Sequence, residues 1–84
     1  MKYTIIIAPK AKKQVDKLNE KVKKKLANAL QTLADNPHLG NPLKAQLKDL
    51  FSYRIGDYRI IYSIIKHQLI IQVIKVMHRR DVYK

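Results

Sequence analysis

The spacing of the hydrophobic residues changes from a helical to a strand pattern in the middle of the chain, and this change limits the folds that the sequence can adopt. Between residues 10 and 33, apolar residues recur every three or four positions with lysines between them, which is typical of amphipathic helices. From residue 50 to residue 77, β-branched and aromatic residues form short runs separated by turns. A further β-branched run, Tyr3–Ala8, ends at Pro9 and predicts an opening strand. The expected fold is α+β, in the order β-α-α-β-β-β.

The helical part divides at Asn19 and Glu20, so the pattern predicts two helices rather than one. Pro9 suits the first turn of the first helix, and Asp35–Pro37 ends the second. The second helix carries one apolar stripe, formed by Val22, Leu26, Ala29, Leu30 and Leu33. Such a stripe needs an apolar sheet face to cover it. We therefore expect the two N-terminal helices on one face of a small, mainly antiparallel sheet, with the other face left for a ligand.

Turn residues separate the strands of the second half. Gly56–Asp57 joins Leu50–Ile55 to Tyr58–Ile65 as a two-residue hairpin, because Gly at the first central position supplies the positive φ of a type II′ turn. Lys66–His67 predicts a second tight turn before the strand Leu69–Met77.

The length of 84 residues predicts a single domain, residues 1–84, with a thin core. The absence of cysteine excludes disulfides and cysteine metal sites. The histidines His38, His67 and His78 lie too far apart for a helical metal site, so neither a metal nor a cofactor is expected. No apolar run is long enough for a signal peptide or a membrane span, which predicts a soluble, cytoplasmic protein without a membrane partner.

Charge is the strongest feature of the composition. Eighteen Lys and Arg against six Asp and Glu give a formal net charge of +12. A field of this size attracts polyanions, and nucleic acid is the leading partner class because each neutralised phosphate releases condensed counterions. An anionic membrane surface and an acidic protein are the other candidates. The simpler alternative is that many lysines only keep the helices soluble, although solubility does not need so large an imbalance.

Arginine and tyrosine concentrate in two segments, residues 51–59 and 78–83. Arg54 and Arg59 lie on predicted strands that a hairpin brings together, and arginine seldom faces a core. Metal-free RNA cleavage needs a deprotonated 2′-hydroxyl, a stabilised phosphorane charge and a proton for the departing 5′-oxygen. Arginine suits the second task, His or Tyr can transfer protons, and Tyr can stack on a base.

Several of these residues have simpler structural explanations. Tyr53, Tyr58 and Tyr62 are equally well explained as packing residues of strands. Asp57 fits a turn residue better than a catalyst, and His38 and His67 fit loop and turn positions.

The two segments, in this order and at this length, resemble the RelE/ParE superfamily of toxins. The resemblance is carried by Tyr-Arg-Ile-Gly-Asp-Tyr-Arg-Ile-Ile-Tyr at 53–62 and His-Arg-Arg-Asp-Val-Tyr at 78–83, with the opening strand and the Lys-rich helices. It implies a toxin of a type II toxin–antitoxin system, in the branch of RelE-type mRNA interferases. Such a toxin is a metal-independent endoribonuclease that cleaves mRNA in the ribosomal A site, by attack of the 2′-hydroxyl on the phosphate. The resemblance also implies a cognate antitoxin that wraps the toxin, for which the +12 charge suggests an acidic or amphipathic segment.

The resemblance further implies which residues form the site. The catalytic set is Arg54, Arg59, His78, Arg79 and Tyr83, and the RNA-binding set is Lys48 and Arg80. Arg59 matches an arginine that helps bind the scissile phosphate, and Arg79 matches the arginine after the last long strand. Tyr83 matches a tyrosine that stacks on the base or assists proton transfer. Ser52 departs from the pattern, because better-known members often carry Lys or Arg there. Either Arg80, Lys48 or His78 compensates, or the basic patch is weaker.

Two other functions stay open. A ParE-type toxin on the same fold would inhibit DNA gyrase and leave RNA intact, and the tail at residues 78–83 favours the ribonuclease over it. A non-catalytic nucleic-acid-binding module would suit the charge alone, but the clustering of Arg, His and Tyr makes it less economical.

Overall fold

The computed structural model describes residues 2–43 and 50–82, with side chains as far as residue 80. The strands are β1 (Thr4–Ile7), β2 (Asn41–Pro42), β3 (Leu50–Ile55), β4 (Tyr58–Ile65) and β5 (Ile70–His78). The helices are α1 (Pro9–Asp16), α2 (Glu20–Asp35) and the short α3 (Arg79–Val82). Within these described ranges, no helix is both long enough and apolar enough to cross a membrane.

The five strands form one mixed sheet in the order β1-β5-β4-β3-β2. The pairs β5–β4, β4–β3 and β3–β2 are antiparallel, and β1 lies parallel to β5 at one edge, from Thr4↔Ile70 to Ile7↔Val73. The predicted α+β fold, with two helices on a mainly antiparallel sheet, is confirmed. The two-residue strand β2 is an addition to the predicted order β-α-α-β-β-β.

Both helices begin where the sequence signals predicted. Pro9 is the first residue of α1, where its missing N–H costs no hydrogen bond. Asn19 caps α2, and its Oδ1 accepts a hydrogen bond from the N–H of Val22 at 2.9 Å. The residues of α2 that are buried against the sheet are Leu26, Ala29, Leu30, Leu33 and Ala34. The predicted apolar stripe therefore covers the sheet, although Val22 at its start is only half-buried.

The sheet side of the core is built from alternate residues of β4 and β5. The largest fully buried side chains are Tyr62, Leu33, Ile60, Ile71 and Val73. The hydroxyl of Tyr62 donates to the carbonyl oxygen of Pro37 at 2.7 Å and accepts from the N–H of Gly40 at 3.1 Å. A Cβ at Gly40 would collide with this hydroxyl, so the loop approaches β4 this closely only with glycine there.

The two turns of the second half differ from each other. Gly56 has φ of +58°, and no other residue of the β3–β4 turn has positive φ, as the type II′ prediction requires. The β4–β5 connection is instead a short 3₁₀ helix, Lys66–Gln68, followed by Leu69 in the left-handed region with φ of 55°. The connection therefore has four residues, 66–69, instead of the predicted two-residue turn at Lys66–His67, and β5 begins at Ile70.

Strand β5 contains a β-bulge at Ile74. In the β4–β5 pair, Tyr62 is opposite Val73, but the preceding Ile61 is opposite Lys75, so Ile74 has no partner of its own. Because side chains alternate between the faces of a sheet, one extra residue moves every later side chain of β5 to the other face.

A side chain of α1 completes the hydrogen bonding of β5 beyond the bulge. The last pair between β1 and β5 is Ile7↔Val73, so β5 has no strand neighbour on this side at Val76. The N–H of Val76 donates instead to the Oε1 of Gln14, at 2.9 Å. Gln14 thus satisfies a part-buried backbone donor and ties α1 to the sheet.

Candidate nucleic-acid interface

The sheet face that is turned away from α1 and α2 carries a group of basic side chains. Arg54 of β3 lies directly opposite Arg59 of β4, and Arg59 is in turn opposite Met77 of β5. The neighbouring row runs from Ser52 through Ile61 to Lys75. We call these two rows the basic face, and its cations are Arg54, Arg59 and Lys75.

No carboxylate neutralises the basic face in the part of the chain that the structure describes. The ion pairs found there are Lys2–Asp35, Lys23–Glu20 and Arg79–Asp57. Arg54 donates from Nε to the carbonyl oxygen of Gly56, at 3.3 Å. Like charges directly opposite each other on two strands are destabilising, so the Arg54–Arg59 pair does not serve stability. The arrangement is suited to an anion that binds both guanidinium groups.

Arg79 lies beside this face and is attached to the β3–β4 turn. Its N–H donates to the carbonyl oxygen of Asp57 at 2.7 Å, and its Nη1 lies 3.8 Å from the Asp57 Oδ1. Both side chains are about two-thirds exposed, at 64% and 63%. The turn therefore holds the backbone of Arg79 close to the two arginines of the hairpin while its guanidinium stays accessible.

His78 is placed on the other face of the sheet. It is opposite Tyr58, which packs against the core, and the two rings meet edge to face with centroids 5.0 Å apart. Its Nδ1 accepts a hydrogen bond from the N–H of Arg80 at 3.1 Å, at the start of α3. His78 thus uses one ring nitrogen to order the beginning of α3 and leaves Nε2 for other contacts.

Of the three remaining expected site residues, the structure describes one. Arg80 is exposed in the first turn of α3, next to Arg79. Lys48 and Tyr83 lie outside the described residues. The structure therefore brings Arg54, Arg59 and Arg79 to one end of the β3–β4 hairpin and separates His78 from Arg54 and Arg59 by the thickness of the sheet.

Lys75 is a basic residue of this face that the sequence reasoning missed. In an unbroken β5, Lys75 would share a face with the buried Ile71 and Val73. A lysine in that register is a signal for a bulge, because an unpaired charge in a core is costly. The buried Val76 directly after it gives the same signal.

Two clefts among the described residues are not lined by the cations of the basic face. One, of about 190 Å³, lies between the start of α2 and the β3–β4 turn, and it is lined by Val22, Lys25, Ile55, Gly56, Asp57 and Tyr58. Another, of about 440 Å³, is lined by His38, Phe51, Ile64, Ile65, Lys66 and His67. Among the described residues, no three His, Asp or Glu side chains gather as metal ligands would. On the basic face, Ser52 and Ile61 are buried, Arg54 is exposed, and Arg59 and Lys75 are half-buried. Cations spread along a sheet face in this way suit a long polyanion better than a small enclosed ligand.

The carboxylate of Asp57 competes with any anion for Arg79, and this gives a testable expectation. Asp57→Asn keeps the backbone carbonyl that receives the Arg79 N–H but removes the charge. The pair is exposed, so we expect the free energy of unfolding to change by less than about 1 kcal/mol. Binding of a single-stranded RNA that carries 2′-O-methyl groups should become about two- to five-fold tighter at low salt, measured by fluorescence anisotropy.

Asp16→Asn is the matched control, because Asp16 is an exposed carboxylate at the end of α1 and has no ion-pair partner among the described residues. Removal of a charge at Asp16 tests the effect of net charge alone. Equal gains in the two variants would mean that the Asp57–Arg79 pair has no special effect on RNA binding.

A family model described as the ParE toxin of the type II toxin–antitoxin system parDE matches residues 5–83. The chain belongs to the RelE/ParE superfamily of toxins. A RelE-like toxin protein of Escherichia coli is 31% identical over 99% of this chain and 92% of its own length. Toxin RelE of Mycobacterium tuberculosis is 32% identical over 98% of this chain and 87% of its own length.

The fold of the toxin agrees with this assignment. The crystal structure of the toxin–antitoxin complex RelBE2 from M. tuberculosis contains a chain that superposes with a TM-score of 0.87 at 28% identity. The match covers 94% of this toxin and all of that chain. The expected resemblance is confirmed at the level of superfamily and fold.

Proposed function

We propose that this toxin is a ribosome-dependent mRNA endoribonuclease that acts in the cytoplasm. The observation that carries the proposal is the Arg54–Arg59 pair: two cations lie opposite each other on the sheet face turned away from the helices, and neither forms an ion pair with a carboxylate among the described residues. Such a pair costs stability and is matched to a phosphodiester. The RelE names of the relatives agree with the ribonuclease branch.

In the proposed reaction, the 2′-oxygen bonds to phosphorus and the bond from phosphorus to the 5′-oxygen breaks. The products are a 2′,3′-cyclic phosphate and a 5′-hydroxyl, and the proton lost by the 2′-hydroxyl is balanced by one delivered to the 5′-oxygen. Arg54 and Arg59 bind the non-bridging oxygens and stabilise the charge that grows on them. Arg79, beside the same turn, is a third cation that stabilises the charge on these oxygens. Arg80 and Lys48 bind the flanking RNA.

The proton transfers are assigned to Tyr83 and His78. Tyr83 follows α3, which begins next to the turn that carries Asp57. His78 keeps Nε2 available, since Nδ1 is used at the start of α3. Its placement on the helix side of the sheet favours a role at the edge of the substrate, and Tyr83 is the stronger candidate for direct contact with the base.

The ribosome has a physical role in this proposal. The two described clefts lie outside the basic face, so we expect the face alone not to fix a flexible RNA strand in an in-line geometry. Holding the reacting groups in such a geometry contributes much of the rate of this type of reaction. We therefore expect the ribosome to supply the orientation and the toxin to supply the charges.

Primer extension on a defined mRNA tests this function. The toxin is incubated with the mRNA alone and with the same mRNA on translating ribosomes. Cuts that appear only with ribosomes, inside the codon that occupies the A site, are the expected result. Intact mRNA under both conditions would reject the proposal.

Inhibition of DNA gyrase is the second candidate, and the match to the ParE family model favours it. It predicts inhibition of supercoiling by the purified toxin together with intact mRNA. Salt-sensitive RNA binding without cleavage and without gyrase inhibition would instead indicate a non-catalytic nucleic-acid-binding module.

The cognate antitoxin is proposed to bind through an acidic or amphipathic segment. The formal charge of +12 favours an acidic partner, and the exposed apolar side chains of Ile6 and Leu39 favour one with an apolar face. A disordered segment that folds as it wraps the toxin would satisfy both requirements.

A further inference from the structure

We propose that Lys75 is part of the RNA-binding site and binds a phosphate of the strand held by Arg54 and Arg59. The inference rests on the proposed ribonuclease function and adds to it a residue that its motifs do not contain. It comes from the bulge at Ile74 and from the register of β4 and β5.

The register places Lys75 within reach of the same ligand as Arg59. Arg59 is opposite Met77, and Lys75 is two positions from Met77 on the same strand and the same face. This is a diagonal neighbour, with Cβ atoms about 7–8 Å apart, a separation that long side chains can span. A lysine and an arginine at this spacing can bind one phosphate or two successive ones.

The surroundings of Lys75 favour an anion as its partner. No ion pair to Lys75 is found among the described residues, and its partner Ile61 and its same-strand neighbour Met77 are uncharged, while its diagonal neighbour Arg59 is a second cation. Lys75 is half-buried on the basic face, two positions from Met77, whereas Lys24 of α2 is exposed. The contact of Lys75 with a phosphate bound by Arg59 is therefore expected to contribute more to RNA binding than the contact of a lysine on the helix surface.

The bulge is the structural reason that this cation is available. In a regular β5, Lys75 would be opposite Ile60 on the core face, and Val76 would point outward. The extra residue reverses the faces to which the two side chains point, so that Val76 is only 6% exposed and Lys75 lies on the basic face. Bulges often redirect a side chain in this way next to functional sites.

Lys75→Met, Lys75→Arg and Lys24→Met test the proposal in the full-length toxin. Met keeps the length of the side chain without its charge, and Lys24 is an exposed lysine of α2 that serves as the charge-matched control. Binding of a fluorescein-labelled RNA with 2′-O-methyl riboses, which cannot be cut, is measured by anisotropy over a range of salt. We expect Lys75→Met to weaken binding about three- to ten-fold and to lower the salt slope by about 0.7. Lys75→Arg should bind like the unsubstituted toxin, and Lys24→Met should lose clearly less than Lys75→Met.

Equal losses for Lys75→Met and Lys24→Met would overturn the proposal, and so would an unsubstituted toxin that does not bind the RNA at low salt. The ribosome assay distinguishes this failure from failure of the proposed function. A toxin that cuts ribosomal mRNA equally well with Lys or Met at position 75 refutes the subsite alone. If the toxin cuts no RNA but Lys75→Met weakens RNA binding, the proposed ribonuclease function is wrong and the proposed phosphate-binding role of Lys75 is retained.

Discussion

Replacement of Arg59 by alanine should abolish most RNA cleavage while the toxin stays folded. Arg59 lies in the middle of the basic face, between Arg54 and Met77, and no carboxylate among the described residues pairs with it. A preorganised donor to the transition-state charge contributes about 10²- to 10³-fold in rate, so a loss of this size is expected. Single-turnover cleavage of mRNA on ribosomes, with saturating toxin, measures it.

The stability of the variant separates a catalytic loss from a folding defect. Removal of one of two opposed arginines relieves repulsion, so the midpoint of urea unfolding should stay the same or rise slightly. Arg59→Lys keeps the charge but not the planar fork, and it should recover only part of the rate. Arg79→Ala should also lose most cleavage, and if Arg59→Ala and Arg79→Ala both cut normally, the assignment of the site is wrong.

Tyr62→Phe is expected to cause a large loss of stability. The change removes one hydroxyl but leaves two buried groups, the Pro37 carbonyl and the Gly40 N–H, without their partner. A buried polar group left unpaired costs about 1–3 kcal/mol. The free energy of unfolding should fall by at least this amount, and the melting temperature by about 4–8 °C for each kcal/mol. Urea and thermal unfolding measure both quantities.

Tyr58→Phe is the matched control, because it also removes one hydroxyl, and the Tyr58 hydroxyl has no hydrogen bond among the described residues. Its expected cost is small. A Tyr62→Phe variant that is as stable as the Tyr58→Phe variant would show that the loop at Pro37–Gly40 does not depend on this hydroxyl.

The pH dependence of stability provides a second measurement on Tyr62. Burial raises the pKa of its hydroxyl above the ordinary value, with a smaller raising effect from Tyr53, and the Gly40 N–H opposes them. The folded state therefore holds this proton at pH values where the unfolded state has lost it. The stability from this difference is complete below about pH 10, the unfolded value, and is lost as the pH rises above it. The loss of stability at alkaline pH should therefore be smaller in the Tyr62→Phe variant than in the unsubstituted toxin.

Local sequence signals were sufficient to predict much of the fold. The stripe of α2, the break between the helices at Asn19 and Glu20 and the turn at Gly56 each depend on neighbouring residues, so their effect can be predicted without the tertiary structure. The opposition of Arg54 and Arg59 follows from that turn, because a two-residue hairpin fixes the register on both sides.

The features that the sequence did not reveal depend on distant contacts. The bulge at Ile74 is set by the need to bury Val76 and expose Lys75, and it moved His78 to the helix side. The role of the Tyr62 hydroxyl depends on a loop more than twenty residues earlier in the chain. The short β2 has almost no pattern of its own and forms only because β3 lies beside it.

The parallel pairing of β1 with β5 affects the order in which the chain can fold. Thr4 pairs with Ile70, so this contact closes a loop that contains both long helices and the other strands. The hairpins β3–β4 and β4–β5 are local and can form early, and they carry the whole basic face. Docking of β1 is then the slow, entropically expensive step, and refolding kinetics should respond to changes at Ile5 and Ile7 far more than to changes at Arg54 or Arg59.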